Sequence, residues 1–328
     1  MTSVSYHNTV NDLQPSSCAW RDAAFASRAW YALLEKHGHR PLVALAGDGR
    51  DFAALVLEAG PRGLQSLSNW YGFTWRPNYI ADHSREPSIA LARDLRRRHA
   101  RIDLAKLPAE SGEAAFLANC FRLGGWQVFV EECDVNHVLL TAGRSYHEYL
   151  ASRPGPLRTT LRRKSAKLNV SVSRRFDGAL WETYAGIYAQ SWKPAEGNAA
   201  FLRDFARQES DAGRFLFGLA RAEGQPVAAQ FWTLQDGTAY IHKLAHLPDA
   251  ERLSPGTVLT CALMEYAIDE AKVGLVDFGT GDDAYKRDWM EEVRTRLRIT
   301  CLDPQRPANW PAIARHALRG LVSPARAG

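Results

Sequence analysis

Residues 214–279 carry the pattern that most restricts how this chain can fold. Three apolar runs follow one another closely, and the links between them contain Glu-Gly at 223–224 and Asp-Gly at 236–237. Such links favour hairpins, because glycine adopts the positive φ angles that tight turns between antiparallel strands require. We therefore expect an antiparallel meander whose strands are residues 214–220, 226–234 and 238–246.

A breaker and an amphipathic helix follow the meander. Ser254, Pro255 and Gly256 interrupt the strand pattern, and apolar residues then recur at three- and four-residue spacing between Val258 and Ile268. A mostly antiparallel sheet flanked by helices would bury such a set of elements. The residues that follow predict a buried strand, a short helix and a final strand, at 275–279, 282–290 and 295–302.

The first half of the chain shows a similar order of elements, without a repeat at the level of residues. Its hairpin signal is the Gly-Asp-Gly turn at 47–49, and the breaker Arg-Pro-Gly-Pro at 153–156 marks a boundary between the halves. The other expected strands are residues 41–46, 52–59, 67–79, 101–107, 126–132 and 136–142. The other expected helices are residues 19–37, 86–100, 110–123, 157–169, 181–192 and 198–211.

Charge and cysteine content limit the classes of function. A net charge of +5 suits a polyanionic ligand, which coenzyme A, nucleic acid and an anionic membrane surface all provide. No signal-peptide pattern and no run of about 20 apolar residues is visible, so we expect a cytoplasmic protein. Scattered cysteines without a C-x-x-C pair predict neither a disulfide framework nor a zinc site. They are Cys18, Cys120, Cys133, Cys261 and Cys301.

The turn before the amphipathic helix is a candidate phosphate site. Ser254 is a good helix N-cap, Pro255 suits the first turn, and Gly256 lets a ligand approach the backbone. The N–H groups near Thr257 would then point outward with partial positive charge, as an anion requires. The alternative is a plain capping turn without a ligand.

Five motifs stand in the second half of the chain: SWK (191–193), GQPVAAQ (224–230), YIHKLA (240–245), LSPGTVL (253–259) and VDFGTGDDAYKRDW (276–289). Together they resemble the FemAB-like branch of the GNAT superfamily, whose members are often described as CelD-type acetyltransferases of cellulose biosynthesis. The resemblance covers about residues 145–300 and the first half only in outline. It implies that the turn at 254–257 holds the pyrophosphate of the donor and that splayed strands hold its pantetheine arm.

The fold class that we expect is α/β (α+β), with tandem GNAT-like domains built on mixed, mostly antiparallel sheets flanked by helices. The expected divisions are an N-terminal GNAT-like domain at 1–150, a C-terminal GNAT-like domain with the donor site at 151–310, and a loose tail at 311–328.

Four residues are candidate catalytic groups. The resemblance implies that Lys286 steadies the oxyanion of the tetrahedral intermediate, whereas on a solvated helix it would pair with an aspartate. His242 is a candidate general base, or a hydrogen-bonded core residue, and Asp283 is an alternative base. Tyr285 either fills core or protonates the leaving thiolate.

Five further residues are candidate contacts for the acceptor. Trp192 and Lys193 either line an acceptor channel or end a helix, and Gln230 is a polar group in an apolar strand that needs a partner. Lys243 alternates with His242, so one of the two should face the cleft. Asp282 is a candidate ligand for the ammonium of the acceptor.

These observations favour an N-acyltransferase with acyl-CoA as co-substrate and no metal, or with acyl carrier protein as donor. The acceptor would be a small-molecule or lipid-like amine, such as a sphingoid base or an envelope or polysaccharide precursor. Peripheral contact with an anionic inner membrane fits the basic helix at 157–169, and nucleic acid is not an expected partner. The alternatives are a FemAB-like transferase that uses aminoacyl-tRNA and a catalytically degenerate module in envelope or polysaccharide assembly.

Overall fold

The computed structural model describes residues 2–12, 20–48, 51–79 and 85–322. Cys18 and Gly49, which the sequence analysis singled out, lie outside these ranges. No helix among the described residues is long and apolar enough to cross a membrane.

The strands account for most of the predicted apolar runs. They are β1 Val4–His7, β2 Leu42–Asp48, β3 Asp51–Gly60, β4 Gly63–Ser66, β5 Asn78–Tyr79, β6 Arg101–Pro108, β7 Gln127–Leu140, β8 Asn169–Ser173, β9 Phe215–Ala222, β10 Gln225–Gln235, β11 Thr238–His246, β12 Leu275–Thr280 and β13 Glu292–Leu302.

The helices follow the predicted amphipathic segments. They are α1 Arg28–Lys36, α2 Arg85–Arg98, α3 Glu113–Leu123, α4 Tyr146–Ala151, α5 Gly155–Lys164, α6 Gly178–Gln190, α7 Ala199–Asp211, α8 Pro255–Glu265 and α9 Trp310–Val322. A 3-10 turn, Ala284–Asp288, takes the place of the short helix expected at 282–290.

The chain divides into two compact units. Unit 1 comprises Met1–Asp134 and Arg294–Gly328, and unit 2 comprises Val135–Val293. The expected divisions at 150 and 310 differ from these limits, because the chain passes between the units inside β7 and β13, where no breaker residue marks the passage.

Unit 1 contains a mostly antiparallel sheet in the order β1-β2-β3-β4-β6-β13, and β5 pairs with β3. Its one parallel pair among the described strands is β4 with β6, which are joined only at Leu64–Gln65 and Ile102–Asp103. Helix α9 takes the place of the expected loose tail at 311–322. It is docked by His316, whose ring stacks on Phe129 at 4.6 Å and whose Nδ1 lies 2.9 Å from Glu131.

In unit 2 the strands pair in the order β7-β12-β11-β10-β9-β8. The predicted meander β9-β10-β11 is confirmed, and Glu223, Gly224, Asp236 and Gly237 all have positive φ angles in its two turns. Such angles match the hairpin geometry that the glycine-containing links predict.

Helices cover both faces of the unit 2 sheet. On one face, the rings of Trp181 in α6 and Phe205 in α7 lie 5.5 and 5.9 Å from the ring of Phe231 in β10. On the other, α8 packs so closely that a Cβ on Gly218 would lie 2.7 Å from Leu259 Cδ1. This close approach fixes where α8 begins, and therefore where the candidate donor turn lies.

Two predicted elements of unit 1 are shorter than expected. Helix α1 begins only at Arg28, because the side chain of Ser27 caps it by accepting from the N–H of Trp30. The aromatic segment 67–77 is irregular, although alternate side chains within it are buried. Its backbone is held by other groups: the N–H of Trp75 donates to Lys106 O, and Lys106 Nζ donates to Asn69 O.

Candidate functional site

A cleft of about 500 Å³ opens in unit 2 beside the start of α8. It forms because β11 and β12 are paired in parallel only at Thr238–Tyr240 and Leu275–Asp277, so that the rest of β11 is free of β12. Its lining residues come from both strands, the start of α8 and the loops after α6 and β12. They are Leu157, Trp192, Lys193, Leu244, His246, Glu251, Ser254, Gly256, Thr257, Thr260, Phe278, Asp283, Tyr285, Asp288 and Trp289.

Ser254 begins α8 in an unusual way. Its backbone is left-handed, with φ 48° and ψ 50°, and its side chain makes no capping hydrogen bond, so the predicted capping role of the hydroxyl is wrong. Instead, Ser254 Oγ accepts a hydrogen bond of 2.8 Å from Lys164 Nζ in α5. A lysine ammonium is thereby held beside the first turn of α8.

The first turn of α8 presents two backbone donors to the cleft. Pro255 has no N–H, and within the described ranges the N–H groups of Gly256 and Thr257 have no acceptor, whereas Val258 donates to Ser254 O. Unsatisfied first-turn amides and the helix dipole attract anions. Together with Lys164, these amides form a site suited to phosphate.

One wall of the cleft combines aromatic rings with a cation. Trp192 is 60% exposed and packs on His246, with ring centroids 4.3 Å apart. Lys193 Nζ lies 5.6 Å from the centre of the Trp192 ring. Burial, assisted by the charge of Lys243, lowers the pKa of Lys193 to about 8. Sequence reasoning missed His246, although it lies two residues from Leu244 on the same face of β11.

The opposite wall carries a phenol and carboxylates. Tyr285 is 49% exposed, and its ring meets Phe278 edge-on at 5.5 Å, so it is not a core residue. Burial, and then the charge of Asp283, raise the pKa of Tyr285 to about 12, which keeps the phenol protonated at neutral pH. Asp283 and Asp288 expose carboxylates to the same space.

A bulge in the meander changes where His242 and Lys243 lie. The register shifts between Phe231 and Trp232, so one extra residue enters β11 at His242. His242 then packs on Phe205 at 5.1 Å, and Lys243 pairs with Glu196 at 2.8 Å.

Both residues therefore lie on the α6–α7 face, and neither lines the cleft. The expectation that they face opposite sides is wrong, because the bulge breaks the alternation of the strand. Within its pocket, His242 Nε2 lies 2.8 Å from Thr233 Oγ1.

Lys286 is buried outside the lining of the cleft. Its Nζ donates to the carbonyl oxygens of Thr280 at 2.5 Å, Gly281 at 3.1 Å and Gly279 at 3.4 Å, and lies 3.7 Å from Asp283 Oδ2. In this structure Lys286 fixes the loop after β12, and through that loop it positions Asp283.

Two more predicted acceptor contacts are satisfied inside the protein. Gln230 is fully buried, and its amide is within 3.3 Å of Thr260 Oγ1, one layer below the cleft. Asp282 accepts from Arg287 at 2.8 Å and lies 2.8 Å from His137 Nε2; these partners lower the pKa of Asp282. Among the described residues, no group of three or more His, Cys, Asp or Glu is gathered as a metal site would require.

Comparison with known proteins places the second half of the chain. Residues 156–287 match the family of the acetyltransferase (GNAT) domain. No curated protein sequence matches the chain.

Solved structures share the fold at low sequence identity. FemX has a TM-score of 0.62 at 11% identity, over 90% of this chain and 96% of that chain. The C-terminal DUF2156 domain assigned to a lysylphosphatidylglycerol synthetase of Agrobacterium fabrum has a TM-score of 0.56 at 15% identity, over 88% of this chain and 91% of that chain. L-PGS from Bacillus licheniformis has a TM-score of 0.54 at 12% identity, over 81% of this chain and 85% of that chain. Residues 156–287 are therefore similar to the acetyltransferase (GNAT) domain, and the chain shares its fold with FemX, in agreement with the predicted resemblance to the FemAB-like branch.

Proposed function

We propose that this protein is an N-acyltransferase that moves an acyl group from acyl-CoA, or from acyl carrier protein, to an amine. The observation that carries the proposal is the pair of amides at Gly256 and Thr257, which have no acceptor among the described residues, belong to residues that line the cleft, and follow Ser254, to which Lys164 donates. A diphosphate would accept from both amides, while the ammonium and the helix dipole favour its charge. The match of residues 156–287 to the GNAT domain supports the same function.

The cleft can serve direct transfer without a covalent enzyme intermediate. The amine of the acceptor attacks the thioester carbonyl, the new C–N bond forms, and the C–S bond breaks. A carboxylate at Asp283 or Asp288, or the imidazole of His246, takes the proton of the amine. The departing thiolate takes its proton from the phenol of Tyr285, which is protonated at neutral pH at its ordinary pKa of 10 and equally at the raised pKa of about 12.

The aromatic wall favours an acceptor with apolar surface. Trp192 and His246 offer ring faces to a chain or ring that enters the cleft, and Phe278 lines the cleft beside Tyr285. One neighbour in fold is the C-terminal domain assigned to a lysylphosphatidylglycerol synthetase. We therefore propose a lipid-like amine, such as a sphingoid base, or an envelope or polysaccharide precursor.

A second donor is favoured by the basic surface of α5 and of the 3-10 turn Ser165–Lys167 that follows it. Arg158, Arg162, Arg163 and Lys167 are exposed, and within the described part of the chain none of them has an ion-pair partner. Such a face suits an anionic polymer or an anionic membrane surface. We therefore propose aminoacyl-tRNA, the donor that the FemAB resemblance implies, as the alternative. This alternative predicts RNA binding that weakens steeply as the salt concentration rises.

Thioester consumption with acyl-CoAs of graded length and a panel of amines tests the main proposal. We expect turnover, and we expect Lys164→Ala to raise the KM for the donor about tenfold, as loss of a charge-assisted contact does. Lys167→Ala, in the 3-10 turn Ser165–Lys167 that follows α5, should leave this KM within about twofold.

Two outcomes point away from an acyl-CoA donor. No turnover with any thioester, together with aminoacylation of a lipid by aminoacyl-tRNA, assigns the second donor. No binding of coenzyme A and no transfer with either donor identifies a module without catalytic function.

A further inference from the structure

A second pocket, of about 370 Å³, lies wholly within unit 1. It arises in the same manner as the cleft of unit 2. The parallel strands β4 and β6 are joined over two residues, and β4 then ends while β6 continues to Pro108. Ser66 Oγ accepts from the N–H of Ala105 at this point, so a side chain replaces the missing strand partner.

A β-bulge aims side chains at this pocket. Ala105 and Lys106 of β6 stand opposite the single residue Arg298 of β13, and Lys106 has a positive φ of 64°. Bulges with such backbone angles redirect side chains, and proteins keep them beside functional sites. Arg298 lines the pocket and, among the described residues, has no ion-pair partner.

An exposed indole is held at the rim of this pocket. Trp70 is 77% exposed and has no ring partner within the described ranges. Its loop is nonetheless fixed on both sides, because Lys106 Nζ donates to Asn69 O and to Gly72 O, each at 2.8 Å. A large apolar ring that the fold presents to solvent in a fixed position is suited to stacking on a ligand.

The charge of the pocket is positive. Arg62 and Arg298 form no ion pair within the described residues, although the charge of Arg62 helps to lower the pKa of Asp103. The carboxylate of Asp103 is bound by Arg101, at 2.7 and 3.0 Å, and by Thr300 at 2.8 Å. Guanidinium groups bind phosphate and carboxylate in a planar, two-pronged manner.

We propose that this pocket binds a small anionic ligand that carries a phosphate or carboxylate beside a ring. Arg298, with Arg62, holds the anionic group, and Trp70 stacks on the ring. The size of the pocket suits a molecule such as a nucleoside monophosphate or a sugar phosphate. The site lies outside the cleft of unit 2, and the proposal stands whatever the acyl donor is.

Calorimetric titration of the full chain tests this site. The ring-bearing probes are adenosine and uridine monophosphates, glucose 1-phosphate and benzoate, which differ in the kind of ring and in whether the charge is a phosphate or a carboxylate. Inorganic phosphate is the probe without a ring. We expect at least one ring-bearing anion to bind, about tenfold more weakly to Arg298→Gln and about five- to tenfold more weakly to Trp70→Ala.

Matched variants separate this site from the rest of the surface. Arg93→Gln removes another exposed, unpaired arginine of unit 1, and Trp310→Ala removes another exposed tryptophan; both should bind like the unchanged protein. The proposal is overturned if no ring-bearing probe binds, if Arg298→Gln and Trp70→Ala leave binding intact, or if inorganic phosphate binds as tightly as the ring-bearing probes.

Discussion

At the scale of single residues, the hydrogen bonds of Lys286, a candidate catalytic residue, indicate a structural role. Its ammonium donates to three backbone carbonyls of the loop at 279–281. Lys286→Met would leave these carbonyls without a donor, so we expect the free energy of unfolding to fall by about 2 kcal/mol. Urea unfolding monitored by tryptophan fluorescence measures this change. Unaltered stability together with lost turnover would instead assign Lys286 to the oxyanion.

Tyr285 should contribute through its hydroxyl alone. Tyr285→Phe keeps the ring that meets Phe278 but removes the proton proposed for the thiolate. We expect kcat to fall about 100-fold, a typical loss for a general acid, with little change in the KM for the donor. Steady-state kinetics measures both quantities, and a rate that stays within about twofold would exclude the phenol as the acid.

At the scale of elements, the bulge in β11 makes His242 a core group. The apolar surroundings of the ring, and then the charge of Lys243, lower the pKa of His242 from 6.5 to about 3. The neutral ring should therefore persist at pH 5 in NMR spectra of the histidines. An imidazole that titrates near its ordinary pKa would contradict the placement.

The sign of the effect on stability follows from the same shift. Below about pH 6.5 the unfolded chain binds a proton at His242 that the folded chain does not. The contribution of His242 is complete above that pH and is lost as the pH falls towards about 3. Thr233 and Phe231, which contact the neutral ring, are the partners that protonation would disturb.

Local signals in the sequence predicted the strands, turns and helices better than they predicted irregularities within these elements. The glycine turns at 223–224 and 236–237 and the break before α8 were visible, because each has a residue-specific backbone requirement. The bulge at His242 could not be predicted from the sequence, because it depends on how β11 pairs with β10. The irregular backbone of segment 67–77 could not be predicted either, because hydrogen bonds from Lys106, which is distant in sequence, hold it. Likewise, His246 enters the site only through the position of Trp192.

At the scale of the whole molecule, a donor that binds only the folded chain must raise its stability. Coenzyme A at about 100 times its Kd should add about 2.7 kcal/mol to the free energy of unfolding. Thermal unfolding with increasing coenzyme A measures the accompanying rise in Tm. Lys164→Ala should reduce the rise, and Lys167→Ala should not. A Tm that is insensitive to millimolar coenzyme A would favour the module without catalytic function.

The proposed donor site requires that the amides at the start of α8 bind the diphosphate of the donor. The most direct measurement is a titration of the ¹⁵N-labelled protein with coenzyme A, followed at the backbone amides of Gly256 and Thr257. We predict that these two signals shift among the most strongly in the spectrum, and that pantetheine, which lacks the diphosphate, leaves them in place. Signals that do not move at saturating coenzyme A, or that move equally with pantetheine, would contradict the claim.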